Sequence, residues 1–315
     1  MKQLITLDDL QDFDALIEEM VALKKQPFAH TALGRNKTLG VLFFNPSLRT
    51  RISTQKAAQN LGMHTIVMNF NNEGWALEFE DGVLMNGTTS EHIKEAAGVL
   101  SQYFDVLAVR AFASLEDKQK DRAEIVLRSF AKYASIPIIN LESATAHPLQ
   151  ALADALTIKT FQKTARPKVV LSWAPHPKAL PQAVANSFVR MMHRMDAEFV
   201  ITHPEGYALD PEITKEATIL YDQKQAFEGA DFIYTKNWSS FEQYGQILRT
   251  DDTWKVSATK MKWTNNAYFM HCLPVRRNVV VDQDVLESPQ ALILEQANNR
   301  TFSAQAILKK FLDEA

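Results

Sequence analysis

Cysteine is almost absent: Cys272 stands alone among 315 residues, which excludes an intramolecular disulfide and any metal site built from several thiolates. Glycine is scarce too, at 10 residues, against the ~7% usual for a soluble chain. A glycine-rich phosphate loop has little to work with. No Gly-x-Gly-x-x-Gly turn follows the first apolar run, which argues against a dinucleotide dehydrogenase. Neither charge sign is in large excess, since 34 Lys plus Arg against 37 Asp plus Glu leaves −3. That balance argues against a general nucleic-acid binder while leaving room for a local basic pocket. No stretch approaches the ~18 uninterrupted apolar residues of a membrane helix. The opening, from Met1 to Asp9, turns acidic before any long apolar run develops, unlike a secretory signal. A reducing, cytoplasmic setting without membrane or nucleic-acid partners is therefore expected.

What is present suits a large folded core: 46% of residues are apolar and 23% charged. No repeat or low-complexity tract interrupts the chain. Short β-branched runs alternate with helix-length amphipathic segments. Strands are predicted at 38–44, 64–70, 105–110 and 137–141, with helices at 47–61, 91–103 (capped by Ser90) and 118–133. A second series predicts strands at 168–173, 198–203, 217–221, 231–235 and 268–272, with a helix at 181–193. The pattern reads as α/β: two doubly wound parallel-sheet domains with a cleft between them. The expected domains are 1–146 and 147–297, the latter entered through an interdomain helix at 147–162. Residues 298–315 would form a C-terminal helix, amphipathic over 303–312, that packs back on the first domain. Ligands in such folds collect at the carboxyl ends of strands.

Four strand ends carry chemistry. At Phe44-Asn45-Pro46-Ser47-Leu48-Arg49-Thr50-Arg51 a helix starts amid hydroxyls and two guanidinium groups, which suits an anion; the alternative is a capped helix with solvated arginines. Arg110 directly follows an apolar strand and is either a ligand or a salt-bridge partner. His147-Pro148-Leu149-Gln150 puts an imidazole and an amide three residues apart on a new helix, apt for a polarised carbonyl, although a histidine there also serves as a plain cap. His271-Cys272-Leu273-Pro274-Val275-Arg276 ends another strand, with Cys272 either a nucleophile or a small buried side chain.

Together these elements resemble the aspartate/ornithine carbamoyltransferase family across essentially the whole chain. Ser47-Leu48-Arg49-Thr50-Arg51 is similar to its Ser-Thr-Arg-Thr-Arg phosphate signature, and the His-Pro-x-Gln and His-Cys-Leu-Pro-x-Arg elements follow in the family's order. The resemblance implies a two-domain fold, carbamoyl phosphate as donor, no metal, no nucleotide cofactor, and a homotrimer with shared active sites. Ordinary ornithine enzymes carry an aspartate and a Ser-Met-Gly where this chain has Lys236-Asn237-Trp238-Ser239-Ser240. A lysine there repels an α-ammonium and attracts a carboxylate. Glu73-Gly74-Trp75, Trp173-Ala174-Pro175-His176-Pro177 and the run from Asn265 to His271 resemble the acylornithine branch, whose acceptor domain is knotted. In that branch the acetyl enzymes place a glutamate, and the succinyl enzymes a proline, where this chain has Ser90. A neutral residue favours a succinyl carboxylate, so N-succinylornithine is the expected acceptor; the alternative is that Ser90 only caps a helix.

By this resemblance Ser47, Leu48, Arg49 and Thr50 bind the donor's phosphate, and Trp75 reaches in from an adjacent subunit. Arg110 and His147 bind the carbamoyl oxygen, Gln150 the carbamoyl nitrogen, and Arg300 closes over the donor. Cys272 and Leu273 act through their backbone rather than through a thiol. Glu142, His176, Lys236 and Arg276 take the acceptor, with Ser90 beside its acyl group. The expected reaction is carbamoyl transfer to the δ-amine, in arginine biosynthesis. Rival readings are N-acetylornithine or ornithine as acceptor, and a non-catalytic small-anion-binding protein.

Overall fold

The computed structural model describes residues 1–314. In chain order the strands are β1 (Gln3–Leu4), β2 (Thr38–Phe43), β3 (His64–Asn69), β4 (Leu77–Glu78), β5 (Glu91–His92), β6 (Val106–Arg110), β7 (Ile138–Glu142), β8 (Lys168–Trp173), β9 (Glu198–Thr202), β10 (Thr218–Leu220), β11 (Phe232–Lys236) and β12 (Tyr268–Met270). Two five-stranded sheets result, ordered β1-β7-β6-β2-β3 and β10-β9-β8-β11-β12. Every pairing in both is parallel. The chain divides into two compact units: Met1–Ser114, Lys118–Leu149 and Arg300 onward form the first, and Leu115–Asp117 with Gln150–Asn299 the second.

Central strands are continuous apolar runs because both faces are covered by helices. β6 is buried at all five positions, and β2 at all but its first. β3, at the sheet edge, has no buried residue and is exposed at His64 and Ile66 instead. Parallel register then fixes where functional side chains emerge. Phe43 pairs with Arg110, and Arg110 with Glu142 after a register shift, so the residues following β2, β6 and β7 lie at one edge of the first sheet. In the second sheet Lys236 pairs with Trp173 and Tyr234 with Met270, so the loops after β8, β11 and β12 share an edge.

The helices depart from expectation where polar groups are buried. Residues 118–133 form two helices, Lys118–Ala123 and Ile125–Tyr133, separated at Glu124, which has φ +47°. The buried Glu124 carboxylate accepts from Ser143 Oγ, Thr145 N and Thr145 Oγ1 at 2.5, 2.9 and 2.7 Å. A straight helix would carry it away from that loop. The last helix runs over Ile293–Asp313, a full ten residues earlier than the amphipathic pattern starts. Its first half buries Gln296, Asn299 and Arg300, polar residues that hide the apolar period. Ser90 is not a helix cap. Ile93–Tyr103 is capped by His92, whose ring accepts from Lys94 N at 3.2 Å. A helix at Phe13–Lys25, capped by Asp12, was not expected from the acidic start. Among the described residues no helix is long and apolar enough to cross a membrane.

Candidate active site

In the first unit, β2 ends in a loop that turns at Pro46 into the helix Leu48–Asn60. Ser47 occupies the N-cap position in extended conformation, yet its side chain makes no capping bond. The hydroxyl thus takes no part in the usual N-cap contact. Thr50 is buried and accepts from Arg300 Nη2 at 2.6 Å, and that guanidinium also lies 3.4 Å from His147 Nε2. The fifth residue of the signature, Arg51, turns instead to Asn69 Oδ1 at 3.1 Å.

Arg110 and Glu142, both buried or nearly so, form an ion pair through Nη1 and Oε2. His147 Nε2 stands 3.7 Å from the same carboxylate oxygen. Arg110 Nε has no hydrogen-bond partner although it is buried, so the guanidinium is anchored by one nitrogen with donor capacity left over. Thr50, Arg110, His147 and Arg300 therefore bring cationic and hydroxyl groups together within one unit, with Glu142 contacting Arg110 and His147.

Trp75 and Ser90 lie on one exposed loop of the same unit. Trp75 is 60% exposed, and its indole N–H donates to Glu91 at 2.8 Å. Ser90 N donates to Ala76 O at 2.9 Å. The loop between them is pinned rather than loose. Asp81 accepts from Lys94 Nζ at 2.7 Å and Tyr133 Oη at 3.0 Å, and the Lys94 bond foremost holds its carboxyl at about 2. Beyond that clamp Val83, Leu84 and Met85 are exposed.

The second unit assembles a different set. His176 follows β8, Lys236 ends β11 and Arg276 follows β12. Arg276 Nε donates to His176 Nε2 at 3.1 Å, and His176 Nδ1 lies 2.9 Å from Lys178 O. The Arg276 contact makes Nε2 an acceptor, while Nδ1 faces both Lys178 O and Lys178 N, the latter at 3.1 Å. Burial pushes the His176 imidazole below its usual range, and the Lys236 and Arg276 charges push the same way against the Lys178 bond. A neutral histidine between two cations is an arrangement suited to carboxylates. Gln150 is buried; its Nε2 donates to Asp154 at 2.7 Å, while Oε1 has no partner. Cys272 is buried, with Tyr234 beside it. Leu273 adopts φ +58°, with its N–H donating to His271 Nδ1 at 2.9 Å. The Leu273 amide is occupied, so the carbonyls at this turn are what it can offer a ligand. Among the described residues no cluster of three His, Cys, Asp or Glu could hold a metal.

Asp154, Gln296 and Tyr234, which contact these residues, were missed from sequence. Asp154 carried a usable signal, four residues after Gln150 on one helix. Gln296 and Tyr234 carried none.

Residues 2–160 match the model of the aspartate/ornithine carbamoyltransferase carbamoyl-P binding domain, and residues 181–311 that of the Asp/Orn binding domain. The chain belongs to the aspartate/ornithine carbamoyltransferase family. It is 52% identical to the N-succinylornithine carbamoyltransferase of Bacteroides fragilis strain 638R, over 99% of both chains. Identity to the N-acetylornithine carbamoyltransferase of Xanthomonas axonopodis pv. citri is 36%, over 96% of this chain and 94% of that one. Among solved structures, a glutamate-to-serine variant of an N-acetyl-L-ornithine transcarbamylase, complexed with carbamyl phosphate and N-succinyl-L-norvaline, superposes with a TM-score of 0.92 at 36% identity, covering 98% of this chain and 99% of that one.

Proposed function

We propose that the protein transfers the carbamoyl group of carbamoyl phosphate to the δ-amine of N-succinyl-L-ornithine, giving N-succinyl-L-citrulline and phosphate, as a cytoplasmic homotrimer in arginine biosynthesis. The observation that carries the acceptor is the pairing of Lys236 and Arg276 around a neutral His176. An α-ammonium would be repelled there, whereas an N-acylated acceptor has lost that charge and keeps its α-carboxylate. Neutral Ser90 supports succinyl over acetyl, because no acid opposes the second carboxylate. The solved glutamate-to-serine variant of an acetyl enzyme, holding an N-succinyl ligand, supports the same choice. So does the 52% identity to a succinyl enzyme against 36% to an acetyl one.

In this reading the amides and hydroxyls of Ser47, Leu48 and Thr50, with the Arg49 guanidinium, bind the phosphate at the helix N-terminus. Arg110 and His147 polarise the carbamoyl oxygen and stabilise the charge that develops as the neutral δ-amine attacks. Gln150 Oε1 accepts from the carbamoyl nitrogen, and the Cys272 and Leu273 carbonyls accept from the carbamoyl or δ-amino group. Arg300, bonded to Thr50, closes over the donor. Glu142, which restrains Arg110, exchanges toward the acceptor when the donor arrives. The departing phosphate takes the amine's proton, so no dedicated base is needed. Trp75 and Ser90, exposed on one pinned loop, complete a neighbouring subunit's site. The exposed Leu48, Ile52 and Ile66 supply apolar surface for that neighbour. Assay of ureido product from carbamoyl phosphate with N-succinylornithine, N-acetylornithine and ornithine tests the proposal. N-succinylornithine should give the highest kcat/KM, and turnover of ornithine alone would overturn it.

A further inference from the structure

Asp154 has no solvent exposure, and two side-chain amides converge on one of its oxygens. Gln150 Nε2 donates to Oδ1 at 2.7 Å and Gln296 Nε2 at 2.6 Å. The other end of Gln296 accepts from His271 N at 3.0 Å, and His271 Nδ1 accepts from Leu273 N at 2.9 Å. One carboxylate thus stands at the head of a hydrogen-bonded series that runs from the helix Pro148–Phe161, through the last helix, to the turn after β12. Tyr234 is fully buried beside Asp154 and Cys272; burial first, then those neighbours, push its phenol well above the usual range, so it stays protonated.

The chemistry of the hub is directional. A carboxylate only accepts, so both glutamines must turn their NH2 groups toward it. Gln150 Oε1 is thereby aimed away from Asp154, buried and unpartnered, and Gln296 Oε1 is aimed at His271. Leu273 is held at φ +58°, a conformation that leucine adopts only where its surroundings impose it. We propose that Asp154 is a positioning residue, whose carboxylate fixes the Gln150 amide orientation and the 271–273 turn together, so that both meet the carbamoyl group in one geometry. This rests on the reading above that Gln150 and the Cys272–Leu273 carbonyls contact that group.

The test uses the full-length enzyme with carbamoyl phosphate and N-succinylornithine. Gln150→Ala, Gln296→Met, their double variant and Asp154→Asn are each checked for folding by circular dichroism. Gln296→Met cuts the link to the turn and leaves the Asp154–Gln150 bond, so it informs even where Asp154→Asn fails to fold. It should lower kcat about 10- to 100-fold, as loss of alignment does, with little change in the acceptor's KM. The double variant should lose more than either single change, because Gln296→Met leaves the Asp154–Gln150 bond and Gln150→Ala leaves the Asp154–Gln296 bond. Asp154→Asn keeps the size of the side chain but lets either amide flip, and should fall between wild type and the double variant. Wild-type kcat in folded Gln296→Met, or in folded Asp154→Asn, would overturn the hub. Wild-type kcat in Gln150→Ala would instead overturn the donor-contact reading, and the proposal with it.

Discussion

His176 shows how much a single contact constrains chemistry. Its Nε2 accepts from Arg276, so protonation there would set two cations against each other with Lys236 close by. In the free protein the ring is therefore neutral at pH 7. The sign of the stability linkage follows: with the folded pKa depressed, this contribution is present above the ordinary value near 6.5 and is lost as pH falls toward the folded pKa. A carboxylate bound at Lys236 and Arg276 offsets the repulsion and raises the imidazole toward its ordinary range. Binding of N-succinylornithine just below that range should accordingly take up protons. Calorimetry in two buffers of different ionisation enthalpy would read the uptake, and His176→Asn should abolish it. Identical apparent enthalpies in both buffers for the wild type would remove His176 from the acceptor site. Cys272, in contrast, illustrates a residue whose type misleads: a lone cysteine at a strand end invites a nucleophile, and burial beside Tyr234 makes it a packing residue.

At the scale of elements, a local polar demand overrides helix propensity. Residues 118–133 have the composition of one helix, but Glu124 breaks them to accept three hydrogen bonds from Ser143 and Thr145, the loop that delivers His147. Glu124→Leu should leave those donors unsatisfied and cost on the order of 3 kcal/mol. It should also weaken carbamoyl phosphate binding by loosening His147. A urea midpoint equal to wild type would show that this loop is held by other means. The same contrast decides what sequence could reveal. Buried parallel strands such as β2 and β6 were legible because both faces demand apolar residues, and the strand-end motifs followed from them. The last helix was legible only in its second half, since Gln296, Asn299 and Arg300 are buried by partners distant in sequence: Asp154, Thr157 and Thr50. No periodicity reports such pairs. Ser90 was legible as a residue, and its cap role proved wrong once His92 took that place.

Over the whole molecule, the donor-side residues belong largely to one compact unit, and His176, Lys236 and Arg276 to the other. The loop bearing Trp75 and Ser90 is anchored at its base by Asp81 and exposed at its tip, the form expected of an element that serves a neighbour. On the proposed trimer, choice of acyl group is a property of the assembly, since the serine proposed to read the succinyl carboxylate would come from another copy. Ser90→Glu would place a carboxylate against that group. At an effective dielectric near 20, like charges about 5 Å apart repel by roughly 3 kcal/mol, on the order of a hundredfold in affinity. Acetyl ends in a methyl and escapes the penalty. The decisive measurement is the ratio of kcat/KM for N-succinylornithine to that for N-acetylornithine, in wild type and in Ser90→Glu. The account predicts a ratio well above one in wild type that falls steeply in the variant; a ratio unchanged by the substitution would contradict it.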